Sequence, residues 1–267
     1  MKMKENRIET RLNALKKKNE KALITYITAG LPDLETTKNV IKAQEEAGID
    51  VIELGIPFSD PVADGPVIQD ASYRAICNGV NLKKIFTMTE ELRKECEVPL
   101  VYMMYYNTVL YYGIEEFVDK CIEVGVDGLI IPDLPYEEQF EVKQYLEKED
   151  APILIQLISP VSKDRIPMLL EGARGFVYCV SSMGVTGQSG NFHKNIKEYL
   201  HTVKQQSKIP VMMGFGIKTA KDVEPFLEEI DGCIVGSHFI QLCEKHNFDL
   251  EVVKDYVKNF KLELGSK

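Results

Sequence analysis

The first twenty residues contain no apolar signal core, and Glu5 and Glu9 break the acid-poor pattern of a transit peptide. Nowhere do about 18 apolar residues run together, so no membrane span is expected. Basic surface is scarce: a formal charge of −9 excludes a sequence-independent nucleic-acid binder, which holds phosphate backbones with lysine and arginine. The one dense basic run, Lys16 to Lys18, falls beside a predicted helix end, where it complements the helix dipole. Six cysteines form no C-x-x-C pair and lie mostly in apolar stretches. They read as reduced core residues of a cytoplasmic protein. What remains, 45% hydrophobic and 27% charged residues, is the composition of a globular chain that buries a large core.

Ile8, Leu12 and Leu15 recur at helical spacing before any strand signal, which predicts an amphipathic N-terminal helix whose apolar face covers something. Short β-branched or aromatic runs then alternate with longer amphipathic patterns, the signature of parallel βα units. Eight strands are predicted, near Leu23–Thr28, Asp50–Leu54, Leu100–Tyr105, Gly128–Ile131, Ile153–Leu157, Phe176–Val180, Val211–Met213 and Cys233–Val235. Helical patterns follow each, among them Leu82–Cys96, Glu137–Glu149, Lys163–Glu171 and Ala220–Glu229, and a last helix is expected near Leu250–Leu262. No Ser/Pro/Gly-rich linker divides the 267 residues. The expected fold is α/β, a single (β/α)8 TIM barrel domain over 1–267 with an extra N-terminal helix. An open doubly wound sheet is the alternative, but its phosphate glycines normally follow the first strand, and here they come late.

Those late glycines are Gly214-Phe215-Gly216 after the seventh strand and Gly236-Ser237 after the eighth. Backbone N–H groups at such positions approach an anion closely, and helix N-termini favour negative charge. Turn geometry alone is the bland alternative. The loop Ser181–Gly190 after the sixth strand is long, polar and glycine-rich, as expected of a lid, with Gly187 placed for a further phosphate contact. In the second strand, the period-two rule puts Val51 and Glu53 on one face and Ile52 and Leu54 on the other. If helices cover the latter face, Glu53 points into the barrel, where burial raises a carboxylate's pKa and fits it for acid or base work. A structural carboxylate paired with a buried cation is the competing reading, although the predicted strands carry no lysine or arginine. The proline-stiffened loop that follows adds Asp60 and Asp64, each of which alone reads as a turn residue.

A Schiff-base aldolase needs a lysine in the barrel, and the strands offer none. The four histidines lack metal-ligand spacing, and there is no dinucleotide fingerprint. Proton transfer by carboxylates is the chemistry that remains.

The run from Glu53 to Pro66, ELGIPFSDPVADGP, followed in order by Gly184-Val185-Thr186-Gly187, Gly214-Phe215-Gly216 and Gly236-Ser237, resembles the tryptophan synthase alpha subunit family. The resemblance spans the chain from first helix to last. It implies cofactor-free retro-aldol cleavage of indole-3-glycerol phosphate to indole and glyceraldehyde 3-phosphate. On the matching positions Glu53 protonates indole C3, Asp64 receives the indole N–H, Tyr178 stands by the reacting carbon, and Thr186 is the lid residue that contacts the second acid. Gly187, Gly216, Gly236 and Ser237 are expected to hold phosphate, and Tyr26, Ile68, Met103, Tyr105, Ile130, Phe215 and Ile234 to wall the indole. Ser182 departs from the family pattern, since many relatives carry arginine there. The resemblance further implies an alpha2-beta2 tetramer in which only the beta subunit binds pyridoxal phosphate, with Pro57–Asp64 and Tyr105–Asn107 facing that partner.

Competing readings are a stand-alone lyase of the same family, another phosphate-binding barrel of the pathway, and a non-catalytic activator of the beta partner. An indole-glycerol-phosphate synthase would need a lysine acid at a strand end, and an activator would have no use for both Glu53 and Asp64.

Overall fold

The computed structural model describes residues 5–180, 191–214 and 216–265. Among them, nine strand segments form one parallel sheet: β1 (Ala22–Thr28), β2 (Val51–Gly55), β3 (Leu100–Met103), β4 (Gly128–Ile130), β5 (Ile153–Leu154), β6 (Gln156–Ile158), β7 (Val177–Val180), β8 (Val211–Gly214) and β9 (Gly232–Val235). Their order, β5-β4-β3-β2-β1-β9-β8-β7-β6, ends on two segments separated in the chain by Ile155 alone. The sheet therefore closes, and the fold is an eight-fold barrel whose fifth strand is split. Ile155 N–H still donates to Leu129 O of β4 at 2.9 Å, and from Gln156 onward the chain pairs with β7. The single predicted strand Ile153–Leu157 is thus two segments with different partners and ends one residue later.

Parallel register sets Tyr26, Glu53 and Val101 side by side, so the period-two rule carries one set of side chains inward on successive strands. Ala22, Ile24, Val51, Val101, Ile130, Ile155, Phe176, Met212 and Ile234 fill the lower barrel. Outward residues such as Ile52, Leu54, Leu100 and Tyr102 pack beneath the helices in the larger outer core.

The helix Arg7–Lys18 forms as its sequence predicts. Asn6 and Glu9 make a reciprocal capping box, and Asn19 ends the helix in the left-handed conformation. Its buried residues Ile8, Leu12 and Leu15 join the inward cluster. The helix is the floor of the barrel, which is what its apolar face was expected to cover.

Two helices went unanticipated, Pro66–Cys77 and Tyr106–Tyr112. Three others are shorter than their patterns. Glu137–Glu149 yields a 3-10 turn and Phe140–Lys143, Lys163–Glu171 retains Ile166–Leu170 as α-helix, and Ala220–Glu229 is helical to Val223 before a 3-10 turn around Pro225. No helix among the described residues is long and apolar enough to cross a membrane.

Candidate active site

Glu53 sits on β2 with 1% of its surface exposed. Among the described residues neither of its carboxylate oxygens has a hydrogen-bond partner. A carboxylate stripped of water and given no donor resists ionising, and burial alone pushes this one up to about 8. At neutral pH it is mainly a protonated acid that can give a proton and, once it has done so, take one back. Tyr26 and Tyr178 feel its field: burial first, and then the carboxylates of Glu53 and Asp64, raise both phenols above the ordinary tyrosine value.

Two glycines make room for those rings. A Cβ at Gly55, the last residue of β2, would lie 1.9 Å from Tyr26 Oη, and one at Gly214 would lie 2.4 Å from the Tyr178 ring. No side chain fits at either position while the tyrosine stays in place.

Asp64 reaches the same end of the barrel from the loop after β2. Tyr105 Oη donates to Asp64 Oδ2 at 3.0 Å and accepts from Ala63 N at 2.9 Å. Phe58 stacks on the Tyr105 ring at 4.9 Å. Tyr105 therefore ties the loop to the rim of the barrel besides offering an aromatic wall. Burial raises the Asp64 pKa, and the Tyr105 hydrogen bond opposes the rise. The loop runs straight into Pro66–Cys77, with Gly65 in the cap position and Pro66 in the first turn. Asp60 stays exposed.

At the barrel mouth lies a cleft of about 220 Å³. It brings together six of the residues singled out from the sequence: Ile68, Tyr178, Gly216, Ile234, Gly236 and Ser237. Gly236 follows β9 directly and caps Ser237–Lys245, its carbonyl accepting from the N–H groups of Phe239 and Ile240. The first N–H groups of that helix are left without intrahelical acceptors and suit an anion. Tyr26, Ile68 and Met103 cluster with Ala71 and Ile240, while Ile130, Ile234, Met103 and Tyr178 belong to the inward cluster beneath. Thr186, Gly187 and Phe215 lie outside the described residues, as does the rest of the loop 181–190. Sequence reasoning missed Lys218 and His238, which line the same cleft. Their adjacency to Gly216 and Ser237 was the available signal. Among the described residues no group of three or more His, Cys, Asp or Glu side chains could hold a metal ion.

Residues 12–265 match the family model for the tryptophan synthase alpha chain. A tryptophan synthase alpha chain of Lachnospira eligens is 65% identical over 263 residues, covering 98% of this chain and all of that one. The counterpart from Alkaliphilus metalliredigens is 47% identical over 90% of each chain. Among solved structures, the tryptophan synthase alpha subunit of Legionella pneumophila superposes with a TM-score of 0.89 at 34% identity, covering 98% of this chain and 99% of that one. A chain of ligand-free tryptophan synthase from M. tuberculosis superposes with a TM-score of 0.85 at 30% identity, over 97% of this chain and 99% of that one.

Proposed function

The chain belongs to the tryptophan synthase alpha chain family, and we propose on that footing that it cleaves indole-3-glycerol phosphate by a cofactor-free retro-aldol reaction. Indole and glyceraldehyde 3-phosphate are the products. The observation that carries the reading is Glu53, an inward carboxyl group with no hydrogen-bond partner among the described residues and a pKa near 8.

Glu53 gives its proton to indole C3, which turns the ring into a cationic indolenine. The Glu53 carboxylate then takes the proton of the glycerol hydroxyl next to the ring. As that O–H bond breaks, the carbon becomes an aldehyde, the bond to C3 breaks, and its electron pair returns to the ring as neutral indole. One proton enters, one leaves, and Glu53 ends protonated. Asp64 accepts the indole N–H and stabilises the cation while it lasts. Tyr178 stands beside the reacting carbon. Tyr26, Ile68, Met103, Tyr105, Ile130, Phe215 and Ile234 wall the indole, and Gly216, Gly236 and Ser237 hold the phosphate. Thr186 and Gly187 complete the site from the loop 181–190.

The chain serves L-tryptophan biosynthesis as the alpha subunit of an alpha2-beta2 assembly, with pyridoxal phosphate confined to the beta subunit. Val62, 84% exposed on the loop after β2, and Tyr111, 94% exposed on the helix Tyr106–Tyr112, are apolar surface suited to that partner. We place the enzyme in the cytoplasm, with the whole chain acting as one barrel domain.

Single-turnover indole release tests the mechanism. Glu53→Gln keeps the side chain's size and loses the acid, so the rate is expected to fall roughly 10²–10⁴-fold while substrate binding persists. Asp64→Asn is expected to lower the rate less, because the amide still accepts the N–H but no longer opposes a positive charge. Near-normal turnover in Glu53→Gln would sink the proposal.

A further inference from the structure

We infer that Lys218 and His238 form a cationic rim on the phosphate end of the cleft, so that the subsite takes a dianionic phosphate by side-chain charge as well as by backbone N–H groups. The inference rests on the phosphate placement proposed above.

Both residues line the cleft that contains Gly216, Gly236 and Ser237. The Lys218 backbone is pinned on two sides: its N–H donates to Asp222 Oδ2 at 2.9 Å, and its carbonyl accepts from Tyr256 Oη at 2.7 Å. The lysine stem therefore leaves the wall from a fixed point, and docking of the ammonium on a ligand orders only its side-chain torsions. Among the described residues no carboxylate forms an ion pair with that ammonium. Asp222, the acid in its field, already accepts from the N–H groups of Lys218 and Thr219 and from the Thr219 hydroxyl. A chain of net charge −9 thus keeps, at the mouth of this cleft, a lysine with no ion pair among the described residues.

His238 is the second residue of the helix Ser237–Lys245, half-buried, with its ring 5.9 Å from that of Tyr256. Burial and the nearby Lys218 hold its pKa below the ordinary histidine value, and Asp222 pulls the other way. The groups that face it are Lys218, Asp222 and Tyr256. In the empty cleft at neutral pH the imidazole is therefore mainly neutral. A bound dianion favours its protonated form, so the second positive charge arrives with the ligand.

Calorimetric titration of the full chain tests both residues. For inorganic phosphate, Lys218→Met is expected to raise Kd about tenfold, the loss of one charge-assisted hydrogen bond. It should also flatten the dependence of Kd on salt. Lys218→Arg should stay near wild type, and so should Lys221→Met, which removes an exposed lysine that does not line the cleft. Sulfate keeps its charge between about pH 6 and pH 8, so in that range a change in binding comes from the protein, from His238 and, toward the upper end, from Glu53. It should bind the wild type more tightly at the lower pH, and His238→Gln should remove the gain. An unchanged Kd and salt slope in Lys218→Met overturns the role of the lysine, and pH-independent sulfate binding overturns that of the histidine. A wild-type chain that binds neither ion overturns the phosphate placement as well, which separates that failure from these two.

Discussion

Asp50 and Glu53 stand three residues apart and are both buried, at 0% and 1% exposure, yet their surroundings are opposite. Asp50, just before β2, receives Arg11 at 2.8 Å, Lys261 at 2.6 Å and the Leu23 N–H at 2.7 Å. Asp127 repeats the arrangement before β4, with Arg93 at 2.7 Å, Arg7 at 3.1 Å and the Leu100 N–H at 2.8 Å. Among the described residues Glu53 has none of this. At the N-terminal end of the barrel, buried carboxylates are compensated and pin strand starts to neighbouring elements. At the C-terminal end one is left uncompensated, and its proton is available for chemistry. Burial by itself does not distinguish a structural carboxylate from a reactive one; the donors around it do.

That contrast breaks first at Asp127. Changing it to Asn leaves the nearly buried Arg93 guanidinium without its counter-charge, and urea unfolding is expected to show a loss of roughly 3–5 kcal/mol. Lyase activity per folded molecule should barely move. A stable Asp127→Asn protein would mean that the pairs at the floor contribute nothing.

Glu53→Gln should do the reverse. The Glu53 pKa is raised on folding from 4.5 to about 8, so the native state holds more protons than the unfolded chain between those values. Native stability must fall as pH rises through that window. The glutamine variant lacks this loss and should be more stable than wild type near pH 9 by on the order of 5 kcal/mol, with the difference vanishing below about pH 4.5. Parallel stability curves for the two proteins across that range would show that Glu53 is not held protonated.

The smallest effect belongs to a pair at the surface. Glu97 meets Arg7 at 2.7 Å but is 77% exposed, so Glu97→Gln should change stability by less than about 1 kcal/mol. A loss comparable to that of Asp127→Asn would show that charge pairing alone, rather than burial, separates the two ends.

The inward direction of Glu53 was legible because strand alternation is strict, and the barrel was legible because βα alternation repeats eight times. The helix Pro66–Cys77 was signalled but overridden. Pro66 sits in its first turn, and Ala71 and Ala75 pack inward at four-residue spacing, yet the proline-stiffened loop read up to Pro66 left the residues after it without an element. Glu137–Glu149 failed the other way. Tyr145 and Leu146 keep a helical rhythm and pack on the core, but the chain meets the sheet through a 3-10 turn and a short helix. The split in the fifth strand had no local signal, since the change of partner at Ile155 is decided by where a closed sheet meets itself. Asp64 was recognised through its motif and not through any period. Lys218 and His238 escaped because which residues of a turn or a helix start face a cleft depends on the tertiary fold, as in the turn at Lys218 held by Asp222 and Tyr256.

The N-terminal helix gives the barrel one more property, which concerns traffic. With Ile8, Leu12 and Leu15 seated in the lower end, the molecule is a cup and not a pipe. Reactant arrives and both products depart over the same lip. Indole, apolar and uncharged, has no affinity for the water it would meet there, while the phosphorylated aldehyde does. A partner seated on the lip would therefore sort the two by solubility alone, receiving the first and leaving the second to the solvent.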